Sequence, residues 1–555
     1  MKHSRFLLLI FLFICPAFLQ AQRVYPLVAG ITIDSVMAVR QGVTKMDFDP
    51  VTGHLFYATD AGNIYEVFIP TTGAPTDSLR FSAVNHGITT LQGFCIRDST
   101  FYLCGNSWSA TTGIGMVVKG TLNANGTRTW ISIATTDPYP DGGGDHGFTG
   151  ICIDPAGNYM YVSSGSRTHL GEIRTNNNAW PGCREVPLTA RIFRFPVNTT
   201  GVILPNDSTL IDNSGYVFAW GTRNAYDMAW DGNDTLFAVD NSGERDDPEE
   251  LNWLREGKNY GFPWRMGGNY NPLMNSPYDV NQDPLVNHLS GGYIAGWFAD
   301  VPGFPPVPAG VTFTDPVRNY GVAADFYRDS ITGNVKNASD EGTYITSFTS
   351  HRSPLGLVFD RDSMIAAPFR GDGFILSFMP GGDSTGYTPL SPWGSPCPFV
   401  DPSRELVQMK LTYNAGIDNY TMTTANIVTG FYLPVDAELV GNVLYVIENG
   451  GGDLWRINFP PYLTVPEIPQ YPGIVVYPNP AQNTVSFSFH CEVPGPAKIT
   501  ITDAQGKIVS VPFEQNIASG SQNITIDISA LSKGIYFYSI MVNGVSSVGK
   551  ITRAL

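Results

Sequence analysis

Residues 150–165 read GICIDPAGNYMYVSSG: an apolar strand, a polar turn with Asp, Gly and Asn, and a second apolar strand. Alternating apolar residues around a tight turn are typical of a β-hairpin. The pattern occurs six times in the chain, and it organises the sequence from its first hundred residues to beyond residue 440. The other five copies begin at Met46, Gly93, Asp227, Gly356 and Asp436.

Six hairpin-centred repeats predict an all-β fold, a six-bladed β-propeller, because radial repetition leaves few exposed strand edges in a long all-β chain. The alternative is a β-sandwich with additional hairpins, and the persistence of the repeat over the whole body favours the propeller. The longest connection between repeats runs from about Trp264 to Ile345 and is rich in Pro, Gly and aromatic residues. Long loops at one end of a propeller usually build its functional face.

The two ends of the chain differ from its body. Residues 1–21 have Lys2 and Arg5 before an apolar run that is too short to span a bilayer, so they predict a secretory signal peptide rather than a membrane anchor. The propeller is expected over residues 22–459 and a Pro-rich linker over 460–473. Alternating strands over residues 474–555 predict a small C-terminal β-sandwich domain.

Composition limits the possible partners. The formal charge is −16, and removal of Lys2 and Arg5 with the signal makes it more negative. An acidic chain lacks the electrostatic footprint of a nucleic-acid-binding protein, whereas it suits solubility and cation binding. No later stretch is long and apolar enough for a transmembrane segment. Cys95 and Cys104 flank a polar turn, so they are either a disulfide across a hairpin or buried free thiols.

Two polar clusters precede repeats. Asp145 and His146 follow three glycines, and a histidine at the start of a strand is either a general base or a structural hydrogen bonder. Arg223 and Asn224 precede the fourth repeat. After that repeat comes a run of acids that predicts either a Ca²⁺ site or a solvated acidic loop. Its members are Asp240, Asn241, Glu244, Asp246, Asp247, Glu249 and Glu250.

The Asp145-His146 and Arg223-Asn224 pairs, together with EELNWLREGKNYGFPW at 249–264, resemble the soluble PQQ-dependent glucose/sorbosone (aldose sugar) dehydrogenases. Members of this family are six-bladed propellers. The resemblance covers roughly Val43 to Phe459 and is strongest between Gly142 and Trp264.

The resemblance implies a mechanism for an aldose substrate. His146 would take the anomeric hydroxyl proton with Asp145 orienting it, hydride would pass to the quinone of PQQ, and Arg223 with Asn224 would hold the quinone oxygens. The implied Ca²⁺ lies near Gly243 and Glu244, with Glu250 as a further metal ligand. Gln92 is an additional cofactor-contact candidate.

One part of the family pattern is missing. The best-known sugar-oxidising members have an Arg-x-Arg pair before the last blade, where residues 430–436 of this chain contain no arginine. Because PQQ carries three negative charges, it needs cationic partners. Arg352, Arg361 or Arg370 could take the place of the missing pair, and Arg361 and Arg370 are the predicted cofactor contacts.

The tail has its own resemblance. VYPNPAQNTVSFSF from Val476 and KGIYFYSIMVNGVSSVGKITRAL from Lys533 are similar to the C-terminal sorting domain of the type IX secretion system of Bacteroidota. The implied partner is the type IX secretion machinery, and the implied location is the cell surface or the medium.

Three functions therefore compete. The first is a secreted oxidoreductase that uses PQQ and Ca²⁺ to oxidise an aldose at its anomeric carbon. The second is a non-catalytic propeller that binds glycans or a protein partner at the cell surface. The third is a Ca²⁺-dependent hydrolase or lactonase, although no GxSxG or HExxH string supports a serine hydrolase or a zincin.

Overall fold

The computed structural model describes residues 23–140, 146–176, 178–299, 303–379, 399, 404–462 and 473–554. The predicted signal peptide, Asp145 and most of the predicted linker lie outside the described residues. The chain divides after Tyr462 into two compact units.

The first unit is a closed ring of sheets. Each inner strand contacts the inner strand of the next sheet, and the sixth contacts the first. Such a ring is the arrangement of a β-propeller, and it excludes the alternative of a β-sandwich for this unit. The prediction of an all-β propeller is confirmed. In the part of the chain that the structure describes, the six inner strands are Val43–Asp49, Thr90–Arg97, Phe148–Ile153, Ala225–Trp230, Pro354–Phe359 and Pro434–Val440.

The remaining strands of each sheet pair antiparallel outward from the inner strand. In sheets 1 to 3 they are His54–Thr59, Ile64–Phe68 and Thr76–Phe81; Thr100–Trp108, Thr112–Leu122 and Arg128–Thr136; Tyr159–Ser164, Arg191–Pro196 and Val217–Trp220. In sheets 4 to 6 they are Leu236–Asp240 and Glu250–Trp253; Gly373–Ser377, Glu405–Asn414 and Asn419–Thr429; Val443–Glu448, Asp453–Asn458 and Thr32–Ala38.

The two ends of the propeller sequence meet in sheet 6. Thr32–Ala38, from the start of the chain, pairs antiparallel with Asp453–Asn458, from the end of the unit. Tyr25–Pro26 pairs with Asn419–Thr429 of sheet 5. The first of these pairings closes the ring by main-chain hydrogen bonds, so Thr32–Ala38 is the outer edge of the last sheet.

Short elements complete the unit: some of the short strands extend sheets 2 and 5, and the others form two-stranded sheets of their own. The short strands are Tyr139–Pro140, Val202–Leu204, Arg265–Met266, Asn269–Tyr270, Arg318–Asn319, Phe326–Arg328, Val335–Asn337 and Ile345–Thr346. The α-helices are Ala83–His86, Ser208–Asp212 and Gly291–Ile294, and the 3-10 helices are Pro272–Met274 and Val280–Gln282.

The fifth repeat folds differently from its sequence pattern. The hairpin predicted from Gly356 has its second strand at Gly373–Ser377 instead of directly after a tight turn. Asp360 causes the difference, because its buried carboxylate accepts N–H bonds from Met364 at 2.8 Å and from Gly371 at 2.9 Å. The carboxylate thereby holds a long turn closed.

Carboxylates tie the inner strands together along the central channel. Asp47 accepts the N–H of Ile96, Asp227 accepts that of Leu357, and Asp436 accepts that of Met46, each from the next inner strand of the ring. Lys45 lies among them, with Nζ 2.7 Å from Asp227 Oδ1 and 3.6 Å from Asp436 Oδ1. The channel contains a cavity of about 320 Å³ at this point, and Glu438 also lines it.

Cys95 and Cys104 are free thiols. Cys95 pairs in register with Tyr102 while Cys104 pairs with Gly93, so the two sulfurs do not face each other across the hairpin. The disulfide alternative is therefore wrong for this pair. Cys397 lies outside the described residues.

The second unit has two antiparallel sheets around one apolar core. One sheet contains Val475–Tyr477, Thr484–Cys491 and Gly520–Asp527; the other contains Ile508–Ile517, Gly495–Thr502, Gly534–Val542 and Val545–Arg553. Two such sheets match the predicted β-rich C-terminal domain. Among the residues that the structure describes, no helix has both the length and the apolar character needed to cross a membrane.

Candidate functional site

His146 lies two residues before the inner strand of sheet 3. Its N–H donates to the carbonyl of Ser166 at 3.1 Å, and the side chain is partly buried. Gly165 makes room for it, because a Cβ at Gly165 would lie 2.4 Å from His146 Cβ and 3.3 Å from Asn224 Oδ1. The same glycine therefore adjoins His146 and Asn224 and brings the two predicted clusters together.

Arg223 and Asn224 lie directly before the inner strand of sheet 4. The carboxylate of Asp240, on the neighbouring strand, accepts both of their N–H groups, at 2.9 and 2.5 Å. The Asn224 side-chain amide donates to Asn241 Oδ1 at 3.0 Å. Both side chains are buried, so the fold fixes the pair before any ligand arrives.

The environment keeps the His146 imidazole neutral. Burial, reinforced by the positive charges of Arg223 and Arg174, lowers the pKa of His146 to about 3. A neutral imidazole has a free lone pair at neutral pH, which is the state that a proton acceptor needs.

The Arg223 guanidinium is held by main-chain carbonyls. Nη1 donates to the carbonyls of Asn241 at 3.0 Å and Ser242 at 2.8 Å, and Nε donates to that of His169 at 3.1 Å. Nη2 lies 3.2 Å from His169 Nδ1. Burial lowers the pKa of Arg223, and four surrounding carboxylates oppose that effect. They belong to Asp240, Glu249, Glu172 and Glu244.

The sequence did not predict three of the side chains at this site. His169 and Arg174 come from the connection between the second and third strands of sheet 3, and Trp297 comes from the long loop. Trp297 stacks on His169 with ring centroids 4.1 Å apart, and the Arg174 guanidinium lies 4.2 Å from the Trp297 ring. The usable signal was the length and polarity of that sheet 3 connection, which starts at the same end as His146.

The long loop reaches the site at a second point. Gly292, in the short helix Gly291–Ile294, donates its N–H to Glu244 Oε2 at 3.3 Å. Together with the stacking of Trp297, this contact places the loop against the predicted metal-binding segment.

Apart from the half-buried Glu244, the acidic run is buried, so the alternative of a solvated loop is wrong. Its carboxylates brace the main chain: Glu249 accepts the N–H groups of Ser242 and Ser353. Both oxygens of Glu250 also accept hydrogen bonds, one from the Gly267 main-chain N–H at 2.7 Å and one from the Asn252 side-chain amide at 2.9 Å. Glu250 therefore serves the packing of the loop.

The structure does not bring Arg361 and Arg370 to His146. Both follow Pro354–Phe359, whose first residue lies at the His146 end, where its carbonyl accepts from Asn241. A six-residue strand spans about 20 Å, so both arginines lie at the opposite end of the ring. There Arg361 pairs with Asp234 and Arg370 stacks on Tyr462.

Other predicted contacts lie at the His146 end. Gln92 stands in a bulge at the start of the inner strand of sheet 2. Arg352 is also at this end, but it is fully buried and pairs with Glu405. Arg23 lies where the missing arginine pair was expected, with its guanidinium 2.6 Å from Glu448 and 3.2 Å from the carbonyl of Gly430.

The oxygen atoms near Arg223 suit a hard cation. The carbonyls of Asn241 and Ser242 converge on one point, and the buried Ser242 hydroxyl has no hydrogen-bond partner among the described residues. The carboxylate of Glu244 follows two residues later. Carbonyl, hydroxyl and carboxylate oxygens are the ligands that Ca²⁺ prefers, so the donor set fits this ion. No group of three or more His, Cys, Asp or Glu side chains arranged for a metal occurs within the described residues.

Residues 89–286 match the family described as Glucose / Sorbosone dehydrogenase, and residues 475–552 match the Secretion system C-terminal sorting domain. Both resemblances drawn from the sequence are thereby confirmed. The dehydrogenase match contains His146, Arg223 and the acidic run.

Solved structures similar to the chain include two named as sugar dehydrogenases and one named as a carbohydrate-active enzyme. The PQQ domain of pyranose dehydrogenase from Coprinopsis cinerea, in its holo form, is 12% identical over 78% of this chain and 97% of that chain, with a TM-score of 0.47. The apo-form aldose sugar dehydrogenase from Escherichia coli is 14% identical (77% and 99%, TM-score 0.44). A calcium structure of family AA12 from Trichoderma reesei is 15% identical (78% and 97%, TM-score 0.45). No curated protein matches the sequence significantly.

Proposed function

We propose that this protein is a secreted sugar dehydrogenase that oxidises an aldose at its anomeric carbon, with PQQ and Ca²⁺ as cofactors. The observation that carries the proposal is the meeting of a neutral histidine with a buried Arg-Asn pair around Gly165. The match of residues 89–286 to the glucose/sorbosone dehydrogenase family supports the same chemistry.

Each residue has a distinct task in this proposal. His146 accepts the proton of the anomeric hydroxyl, and Asp145, which precedes it, orients the imidazole. Arg223 and Asn224 present N–H donors that stabilise negative charge as it develops. When bound, PQQ supplies the acceptor for the hydride of the sugar C1–H bond, and the sugar leaves as the lactone.

The fit to the cofactor differs between its two sides. The quinone side would meet His146, Arg223 and Asn224. For the carboxylates, Arg174 and Arg23 are the available guanidinium groups at this end, and each is already paired with acids, Glu172 and Glu448 respectively.

A second function follows from that shortage. Residues 430–436 lack arginine, and Arg361 and Arg370 lie at the far end of the ring. A propeller with a weak grip on a tri-anion could instead bind glycans or a protein partner without redox chemistry, using Trp297 and the loops around it.

Export has its own support. The sorting domain at residues 475–552 and the predicted signal peptide at 1–21 together support transport to the cell surface or the medium through the type IX secretion machinery.

The test separates the two functions. The mature chain is titrated with PQQ in the presence of Ca²⁺, followed by absorbance, and then assayed for dye reduction with a panel of aldoses. His146→Gln should remove activity and leave PQQ binding unchanged, whereas His288→Gln, on the loop surface, should leave both activity and PQQ binding unchanged. Absence of PQQ binding would reject the proposed dehydrogenase activity, and the second function would then be tested by measuring glycan binding. Full activity in His146→Gln would reject the assignment of the base.

A further inference from the structure

The guanidinium of Arg223 occupies the point on which the cation donors converge. Its Nη1 is 3.0 Å from the carbonyl oxygen of Asn241 and 2.8 Å from that of Ser242. Two consecutive carbonyls that aim at one point form a cation cradle, and here the cation is a side chain of the same protein. We call these two carbonyl oxygens the cradle.

The cradle is rigid because its neighbours fix it. Glu249 accepts the N–H of Ser242 at 2.5 Å, and the Asn241 side chain donates to the carbonyl of Pro354 at 2.9 Å. A Cβ at Gly243 would lie 2.7 Å from the carbonyl oxygen of His169, so the segment packs closely against its neighbour. Such a segment keeps its carbonyls in place whichever cation they meet.

Charge makes an occupant necessary. Carboxylates of Asp240, Glu249, Glu172 and Glu244 surround the guanidinium, while burial disfavours its charge. A buried cluster of acids is costly without a cation. A divalent cation carries more charge than a guanidinium in a smaller volume, and it could bind the same carbonyl oxygens.

We propose that Arg223 is an internal cation that competes with a divalent cation for the cradle. Binding of Ca²⁺ displaces the guanidinium from the carbonyls of Asn241 and Ser242. The inference concerns the site of the proposed function, but it is measured without quinone or sugar. It can therefore fail while the proposed function stands, and the reverse also holds.

The competition is measured by titrating the mature full-length chain with CaCl₂ in an isothermal calorimeter, with MgCl₂ as a size control. Arg223→Gln should bind Ca²⁺ at least tenfold more tightly than wild type, because the internal competitor is gone. Arg174→Met removes a nearby charge that does not touch the cradle, and it should change the affinity less than threefold. Equal affinities in wild type and Arg223→Gln, or an equal gain in Arg174→Met, would overturn the proposal.

Fluorescence gives a readout on the unaltered protein. Arg223 touches His169, which stacks on Trp297, so displacement of the guanidinium should change the Trp297 emission during the Ca²⁺ titration. The change should disappear in Trp297→Phe. If Arg223→Gln does not fold, Arg223→Lys, whose ammonium cannot span both carbonyls, should show intermediate tightening. A wild-type emission that Ca²⁺ binding leaves unchanged would contradict displacement.

Discussion

Replacement of Lys45 by Met should destabilise the propeller by an amount that depends on pH. Lys45 is 3% exposed, and its ammonium lies between the carboxylates of Asp227 and Asp436 in the central channel. Removal of one partner from a buried ion pair costs about 3–5 kcal/mol. With an unfolding entropy of about 2.1 cal/mol/K per residue over about 440 residues, each kcal/mol lowers the melting temperature by roughly 1 °C. The expected fall is about 3–5 °C.

The pH dependence follows from the channel acids. Burial raises the pKa of Asp47 and of Asp436 to about 7, and it also raises the pKa of Glu438 well above its usual value. The folded carboxyls hold protons that the unfolded chain has released, so their contribution to stability is full below about pH 4 and is lost as the pH rises through 7. Without Lys45 the charged forms lose their counter-ion, so the loss should be greatest at pH 8.

The assay is differential scanning calorimetry at pH 5 and pH 8. Lys258→Met, which removes an exposed lysine of the same unit, is the matched control and should shift the melting temperature by less than 1 °C. The lowered pKa of His146 makes the folded chain less stable as the pH falls below 6.5. That effect is common to wild type and both variants, so it cancels from the difference. A Lys45→Met loss of equal size at both pH values would refute the role assigned to the channel acids.

Two further predictions concern the turn of sheet 5 and the thiols. Asp360→Ala should cost about 2–4 kcal/mol, because three N–H groups, including that of the buried Ile365, lose a carboxylate acceptor, whereas the exposed Asp362→Ala should cost almost nothing in urea unfolding. Burial raises the pKa of the Cys104 and Cys152 thiols, so both should stay unmodified by a thiol reagent at pH 8 until guanidinium unfolds the chain. Modification of either thiol in the native protein would show that the sheets open there.

The repeat predicted the inner strands because its signal is local. In each copy, period-two apolar residues meet a short polar turn, and the resulting hairpins are those found in five of the sheets. The fifth copy misled the prediction, since Asp360 holds a turn that continues to residue 372. Asp-Arg-Asp before an apolar stretch looks like a tight turn, and nothing local shows that the carboxylate reaches Gly371.

For the site too, positions that follow from a local sequence pattern could be predicted, and positions that depend on distant residues could not. The sequence places His146, Arg223 and Asn224 at the same end of the ring because each comes just before a predicted inner strand, so their position follows from the repeat. Arg361 and Arg370 carry the positive charge that the cofactor carboxylates need. The sequence does not show which end of the ring they occupy. The burial of the acidic run could not be predicted from the sequence either, because its partners come from distant segments. Asp246, for example, pairs with His351 and Arg328.

One structural feature explains why a site forms at this end of the ring. Each inner strand has a register shift within its first few residues, for example between Leu91 and Gly93 and between Ala225 and Asp227. The same shift occurs in the other four, after Val43, Phe148, Pro354 and Pro434. A bulge ends regular pairing and redirects the side chains beside it. The residues before the six bulges are therefore released from pairing with the sheets, and the chain can place a histidine, a guanidinium and an amide there without disturbing the strands that hold them.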